Sequence, residues 1–206
     1  MNKFASWRLG KSSVLDIHRL NKLPLGIQKD LPRFQVKCTQ VPQEFEPGTY
    51  VFIWLGSDNN KGIPTEWKQG YKAIGRLVHI NRGERFNDES TSLIEIVYIF
   101  SEVFNRIDIL RAAPIPYYWC SALPIIGLDD HSNQTIRMFA EDEERSDIKA
   151  FFEVLKEIVP EFSRDAILID TTWESLLDFE CVDPKSTFKQ CHEVNNAVVV
   201  EDATLN

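Results

Sequence analysis

Long apolar runs, a leader segment and a cysteine framework are all missing from this 206-residue sequence. No stretch reaches the roughly 18 apolar residues of a membrane span, so we expect no transmembrane helix. The first residues, MNKFASWRLGKSSV, contain no apolar segment followed by a small-residue cleavage site, which argues against a secretory signal. The four cysteines lack CxxC spacing, so we expect reduced thiols in the cytoplasm, with no disulfides and no zinc.

Recognisable catalytic motifs are also missing. The four histidines are far apart in the chain, and Ser57 does not lie in a GxSxG turn. The GKSS run at Gly10 lacks the first glycine of a phosphate loop, because Ala5 occupies that position. We therefore expect no enzyme activity, no metal and no cofactor. The GKSS run remains either a capped helix start or a site for one phosphate.

Positive charge is scarce overall, since the net charge is −8. The first 111 residues carry 16 Lys and Arg against 12 Asp and Glu, whereas residues 112–206 carry 7 against 19. This asymmetry is typical of a basic binding face with an acidic appendix, and equally of a solvated acidic helix that keeps the protein soluble.

The apolar periodicity predicts a coarse order of α-β-β-β-β-loop-β-α, followed by a further strand and a short helix. The predicted helices are GKSSVLDIHRLNKL, EDEERSDIKAFFEVLKEIV and TWESLLDF, and the predicted strands are RFQVKCTQV, TYVFIWLG, YKAIGRLVHIN, SLIEIVYIF, NQTIRMF and AILID. The proline-rich AAPIPYYWCSALPIIG is predicted to be a long connection. Strands joined by loops rather than helices favour an α+β fold, a mostly antiparallel pseudo-barrel with helices packed at its ends.

Large aromatic residues fall at predicted strand ends and in loops. Trp54 ends the apolar run YVFIWL, directly before the small polar residues Gly56, Ser57 and Asp58. Such aromatics are often only half-buried under long loops. Several of them beside small polar groups can instead sandwich a base that has flipped out of a duplex, while the polar groups read its edge.

The segment GTYVFIWLGSDNNKG…GYKAIGRL, residues 48–77, resembles the central hairpin of EVE domains in the PUA-like superfamily, which also contains the YTH and ASCH domains. SLIEIVYIF is similar to the next long strand of that family, and LPIIG…NQTIRMFAEDEE is similar to its final segment, so the resemblance covers residues 48–159. It implies a reader domain over residues 1–160, followed by an extension, linker or tail over residues 161–206.

EVE and YTH domains are linked to the recognition of modified bases, and some EVE-like domains form the DNA-reading part of modification-dependent restriction GTPases. The resemblance therefore implies a DNA reader that flips a modified, methylated base into an aromatic pocket. The reader would belong to a restriction or antiviral defence system. An AAA+ GTPase or nuclease would then be a partner domain or subunit.

Two groups of residues are candidates for this interface. The predicted base pocket consists of Trp7, Ser12, Ser13, Trp54, Leu55, Gly56, Ser57, Asp58, Trp67 and Trp119. The predicted phosphate contacts are Arg8, Lys11, Lys61, Lys68, Arg76 and Arg82. Two other functions stay open: a protein-interaction module on a PUA-like scaffold, and an RNA-binding or RNA-processing protein of the ASCH type.

Overall fold

The computed structural model describes residues 2–57, 64–85, 88–112, 136–139 and 146–178. Seven strands lie in these ranges: β1 Phe4–Leu9, β2 Gly26–Ile27, β3 Arg33–Cys38, β4 Tyr50–Leu55, β5 Gly70–Asn81, β6 Ser90–Phe104 and β7 Ile136–Met138. The α-helices there are α1 Val14–Leu20, α2 Arg106–Ala112, α3 Asp147–Ile158, α4 Pro160–Ile169 and α5 Glu174–Leu177. Short 3₁₀ turns, Lys11–Ser13 and Thr171–Trp173, precede α1 and α5.

The strands form one sheet in the order β2-β6-β5-β4-β1-β7, and β3 pairs with β6 beside β2. β1 runs parallel to β4, while the other pairings between described strands are antiparallel. The predicted α+β class with a mostly antiparallel sheet is thus confirmed. Within the described residues the sheet is open, because β7 forms one edge and β2 with β3 forms the other.

β4 lies between two hydrophobic cores. Because successive side chains on a strand point to opposite faces, Tyr50, Phe52 and Trp54 enter one core while Val51, Ile53 and Leu55 enter the other. The first core, which we call the helix-side core, is completed by α3, α4 and α5. The second, which we call the inner core, is completed by α1 and β3. Burial on both faces explains why YVFIWL is a continuous apolar run.

Most predicted elements are confirmed, but several details differ. The predicted strand AILID is wrong, because these residues continue α4, where Pro160 opens the helix and Phe162 and Ala166 share its buried face. Periodicity cannot distinguish such a short apolar run from a buried helical segment. The strands β1 and β2 and the helix α2 were not predicted as elements, and α1 is a shorter helix than predicted, ending at Leu20.

The described residues after 160 take part in the folded body. Phe162, Ala166, Trp173 and Leu176 all lie in the helix-side core, against side chains of β4 and β6. Tyr50 donates a hydrogen bond to Asp170 Oδ2 at 2.9 Å, and Tyr98 donates one to Asp165 Oδ2 at 3.1 Å. The packed structure therefore continues at least to Leu177, past the residue at which the sequence predicts the extension to begin.

Candidate nucleic-acid interface

The parallel strands β1 and β4 end side by side, and each is followed by a glycine. Leu9 pairs with Leu55, and the Gly56 N–H donates to the Leu9 carbonyl oxygen at 2.7 Å. A Cβ on Gly56 would lie 2.6 Å from that oxygen and 2.8 Å from Arg8 Nε. Only glycine therefore allows the Arg8 side chain to lie across the end of β4.

Trp54 and Arg8 share one face of the sheet. They are paired in the register of β1 and β4. The Trp54 ring is 6 % exposed and meets the Tyr71 ring edge-on at a centroid distance of 5.1 Å. The Tyr71 hydroxyl in turn hydrogen-bonds the Ser6 hydroxyl at 2.6 Å. Trp54 is thus held firmly in place, with a half-buried guanidinium beside it.

Trp7 and Trp54 lie on opposite faces of the sheet. Trp7 is 1 % exposed in the inner core, where it meets Phe45 edge-on at 5.8 Å. Trp54 belongs to the helix-side core. The two rings therefore cannot be the two walls of one base pocket in this structure, because the sheet separates them. The individual assignment of either ring to a base pocket stays a prediction.

Trp67 contacts the end of β4 from the inner-core side. Its indole Nε1–H donates to the Gly56 carbonyl oxygen at 2.9 Å, and its half-buried ring meets His18 edge-on at 5.7 Å. His18 Nε2 lies 3.7 Å from Glu66 Oε2. These contacts fix the chain before β5 against α1 and the end of β4. The ring packs on α1 while its polar edge orients the Gly56 peptide.

A bulge in β5 faces the end of β4. The register shifts between Ile53 and Trp54, so that Lys72 has no partner residue on β4. Lys72 is buried, and burial lowers the pKa of its ammonium group. Its Nζ donates to the Phe100 carbonyl oxygen at 3.0 Å, and no carboxylate pairs with it among the residues that the structure covers. Bulges that aim side chains in this way occur frequently beside functional sites.

The start of α1 offers weaker support for phosphate binding. Ser13 is the N-cap residue and is buried, Ser12 is exposed, and neither makes a capping hydrogen bond with its side chain. The backbone of Lys11 lies in the 3₁₀ turn. Because α1 has only seven residues, its dipole adds little to this site.

Three predicted phosphate contacts already have partners within the protein. Lys68 Nζ lies 3.5 Å from Asp108 Oδ2, and Arg76 Nε donates to Glu95 Oε1 at 2.8 Å. Arg82 donates to the carbonyl oxygens of the loop after β3, including that of Pro42 at 3.1 Å. Arg8 has no hydrogen bond or ion pair to any residue in the described part of the chain. Asp58, Lys61 and Trp119 lie outside the described residues.

A small cavity lies in the inner core. Its volume is about 10 Å³, roughly the space of one water molecule. It is lined by apolar side chains and Asp16, and burial raises the pKa of this carboxyl group above its usual range. A nucleobase does not fit there, so this cavity is not the predicted base pocket.

Two residues that support the Trp54 ring lie outside the predicted base pocket. They are Ser6 and Tyr71, whose hydroxyls hydrogen-bond each other. The alternation of β1 around Trp7 was the available signal, since it places Ser6 and Arg8 on one face.

No helix in the described ranges is long and apolar enough to cross a membrane. Those ranges also contain no cluster of three or more metal-ligating side chains.

Comparisons with known proteins do not assign a family. No protein-family model matches this chain, and no curated protein matches it. Among solved structures, the chain is similar to the human THYN1 protein, crystallised in complex with DNA containing 5-methylcytosine. The two chains are 12 % identical with a TM-score of 0.43, over 74 % of this chain and 98 % of the other. A likeness at this level does not decide the family or the function.

Proposed function

We propose that this protein reads a modified base in DNA at the paired ends of β1 and β4. The observation that carries the proposal is the set of Arg8, Trp54 and Gly56. An indole and a guanidinium without a partner among the described residues share one face there, beside a position without a side chain. The resemblance of residues 48–159 to EVE domains supports the same function.

The chemistry of these groups suits a nucleobase. A planar guanidinium stacks on aromatic rings and also binds phosphate, so Arg8 suits either part of a nucleotide. The Gly56 carbonyl oxygen, which already accepts from the Trp67 indole, keeps a second lone pair for a donor on the edge of a base. A methyl group that becomes buried adds about 0.8 kcal/mol of apolar contact. Discrimination by this contact alone would be about fourfold.

The test is binding to duplexes that differ in one base. We would measure fluorescent duplexes with a single 5-methylcytosine, 5-hydroxymethylcytosine or N6-methyladenine, each against its unmodified twin. The proposal expects a preference for one modified duplex. Equal affinity for all twins contradicts it. Equal and salt-insensitive affinity would favour the protein-interaction module instead, because DNA affinity falls steeply with ionic strength.

Two variants distinguish a base contact from a structural role. Trp54→Phe keeps a ring in the core, and we expect it to reduce the preference for the modified duplex. Trp173→Phe is the matched control, since Trp173 is a buried indole in the same core but lies against Tyr50 and Phe4. An equal change of preference in both variants would make Trp54 a structural residue only. Arg8→Gln should weaken binding to every duplex.

The wider proposal places this reader in a cytoplasmic restriction or antiviral defence system. A nuclease or AAA+ GTPase would be a separate domain or subunit. The resemblance to readers of restriction GTPases supports this, as does the lack of a catalytic motif in the sequence. The purified chain should neither cleave modified DNA nor hydrolyse GTP, and activity in either assay would contradict this division of labour.

A further inference from the structure

The sheet has a second surface, far from Trp54, which we call the open face. It is a grid of three rows across β3, β6 and β5, and the register defines each row. The rows are Arg33–Glu95–Arg76, Gln35–Leu93–His79 and Lys37–Thr91–Asn81. The first row continues to Tyr50 on β4. Tyr50 lies four residues from Trp54, about 13 Å along the strand, so the two surfaces lie at opposite ends of β4.

The other side of these strands is filled by the inner core. β3 alternates strictly, with Phe34, Val36 and Cys38 buried and the residues between them exposed. Among the described residues, the helical layer meets the open face at its boundary, where the Tyr50 hydroxyl donates to Asp170. The grid is therefore a sheet face that the rest of the described chain leaves to solvent.

The first row holds two guanidinium groups on one carboxylate. Arg76 donates to Glu95 through Nε and Nη2, and Arg33 Nη2 lies 3.7 Å from Glu95 Oε2. The side chains of Arg33 and Arg76 are 60 % and 43 % exposed, whereas that of Glu95 is 5 % exposed. The negative charge is thus at the base of the row, and the two positive charges extend outward.

The third row adds a lysine that can exchange its partner. Lys37 Nζ lies 2.7 Å from Glu89 Oε1, and both side chains are more than half exposed. Such surface ion pairs contribute little free energy, so a phosphate can replace the carboxylate at little cost. Across the grid, three cations therefore stand against two carboxylates, the buried Glu95 and the exposed Glu89, which gives this surface a small positive excess.

We infer that the open face binds the phosphate backbone of a nucleic acid strand. Charge complementarity favours a polyanion. The nine grid residues include no Phe, Tyr or Trp, and Tyr50, to which the first row continues, is buried. No exposed ring of these types therefore offers a base a stacking surface, and we expect backbone contact without sequence preference. The inference deepens the proposed function, since it gives the DNA around the modified base a second surface to contact.

The test uses the full chain and an unmodified fluorescent duplex over a series of salt concentrations. The double variant Arg33→Gln, Lys37→Gln removes two cations and leaves Arg76 on Glu95. Each lost phosphate contact should reduce the slope of log affinity against log salt by about 0.9, or about 1.8 in total. The matched control is Lys22→Gln, Arg111→Gln, which removes two exposed cations outside the grid. It should leave the slope unchanged.

Each outcome decides the inference. An unchanged slope in the grid variant overturns it, because the grid cations would then make no phosphate contacts. Equal slopes in both double variants also overturn it, because the slope would then depend only on the total charge of the protein. Displacement of the duplex by polyglutamate as effectively as by unlabelled DNA overturns it in favour of an acidic protein partner. A reduced slope without a preference for any modified base supports phosphate binding at the open face. That outcome contradicts only the proposed reading of a modified base. No DNA binding at low salt contradicts both.

Discussion

Two halves of one sheet differ in how many of their faces are covered. Along β4 every residue is buried, because the helix-side core and the inner core fill both faces. Along β3 buried and exposed residues alternate, since the inner core fills one face and solvent the other. One sheet therefore supplies rigidity in one half and a charged surface in the other. Four predictions test this comparison.

The largest effect should come from Phe52→Ala in the doubly covered half. The Phe52 ring is fully buried and meets Phe151 edge-on at 4.9 Å. Removing such a ring leaves a cavity and typically costs about 3–5 kcal/mol. Urea unfolding should therefore show a large decrease in the midpoint. A loss below about 1 kcal/mol would mean that the helical layer is not tightly packed on β4.

Gly56→Ala should have the next largest effect, about 2 kcal/mol, because overpacking forces the backbone to move. The added methyl would collide with the Leu9 carbonyl oxygen and with Arg8. Gly10→Ala is the matched control, since its Cβ would meet only the Ser57 carbonyl oxygen at 3.6 Å. Thermal unfolding of the two variants compares the sites directly. Equal losses would contradict the close approach at Gly56.

Tyr50→Phe tests the boundary between the two halves of the sheet. It should lower the free energy of unfolding by about 1 kcal/mol, because the hydrogen bond of the Tyr50 hydroxyl is lost. Burial tends to raise the pKa of Asp170, but hydrogen bonds from Thr172, Tyr50 and Asn2 outweigh it and keep that pKa below its usual range. A lowered carboxyl pKa stabilises the fold above the unfolded-state pKa, near 4, and this stability is lost as the pH falls through the folded value.

The same variant should therefore weaken the dependence of stability on pH below about 4. Urea unfolding between neutral and acidic pH measures it. Tyr98→Phe is the comparison, because its hydroxyl binds Asp165 instead. If both variants changed the acid dependence equally, the Tyr50–Asp170 contact would not be its source.

The smallest effect should come from Gln35→Ala in the open half. Gln35 is exposed at the centre of β3, and substitutions at such positions usually change stability by less than about 0.5 kcal/mol. Chemical unfolding of Gln35→Ala and of Phe52→Ala, measured under the same conditions, would compare the loss of stability in the two halves of the sheet. A loss above about 1 kcal/mol would indicate that the open face is covered in the protein.

The main strands were predictable because their patterns are local. The continuous apolar run of β4 predicts burial on two faces, and the alternation of RFQVKC predicts burial on one. β1 was missed because FASWRL contains the polar residues Ser6 and Arg8, which are unusual in a buried strand. Ser6 is accommodated by its hydrogen bond with Tyr71, and Arg8 by the space that Gly56 leaves. Its parallel pairing with β4 joins residues far apart in the chain, which no local pattern reveals.

The candidate site was predictable only in part. Trp54 and Gly56 stood out because the sequence places a large ring beside small residues. The separation of Trp7 from Trp54 needed the register, since a shift of one residue exchanges the two faces of a strand. The rows of the open face combine residues 33–37, 76–81 and 91–95, which only strand pairing brings together.

Local patterns were sufficient to predict the α+β composition, the strong strands and the helix α3, because hydrophobic periodicity is a property of neighbouring residues. Folding was needed to establish which side chains share a face, that AILID is helical, and that Arg33 and Arg76 meet on Glu95. These outcomes depend on burial and charge contributed by distant segments, which come together only when the chain folds.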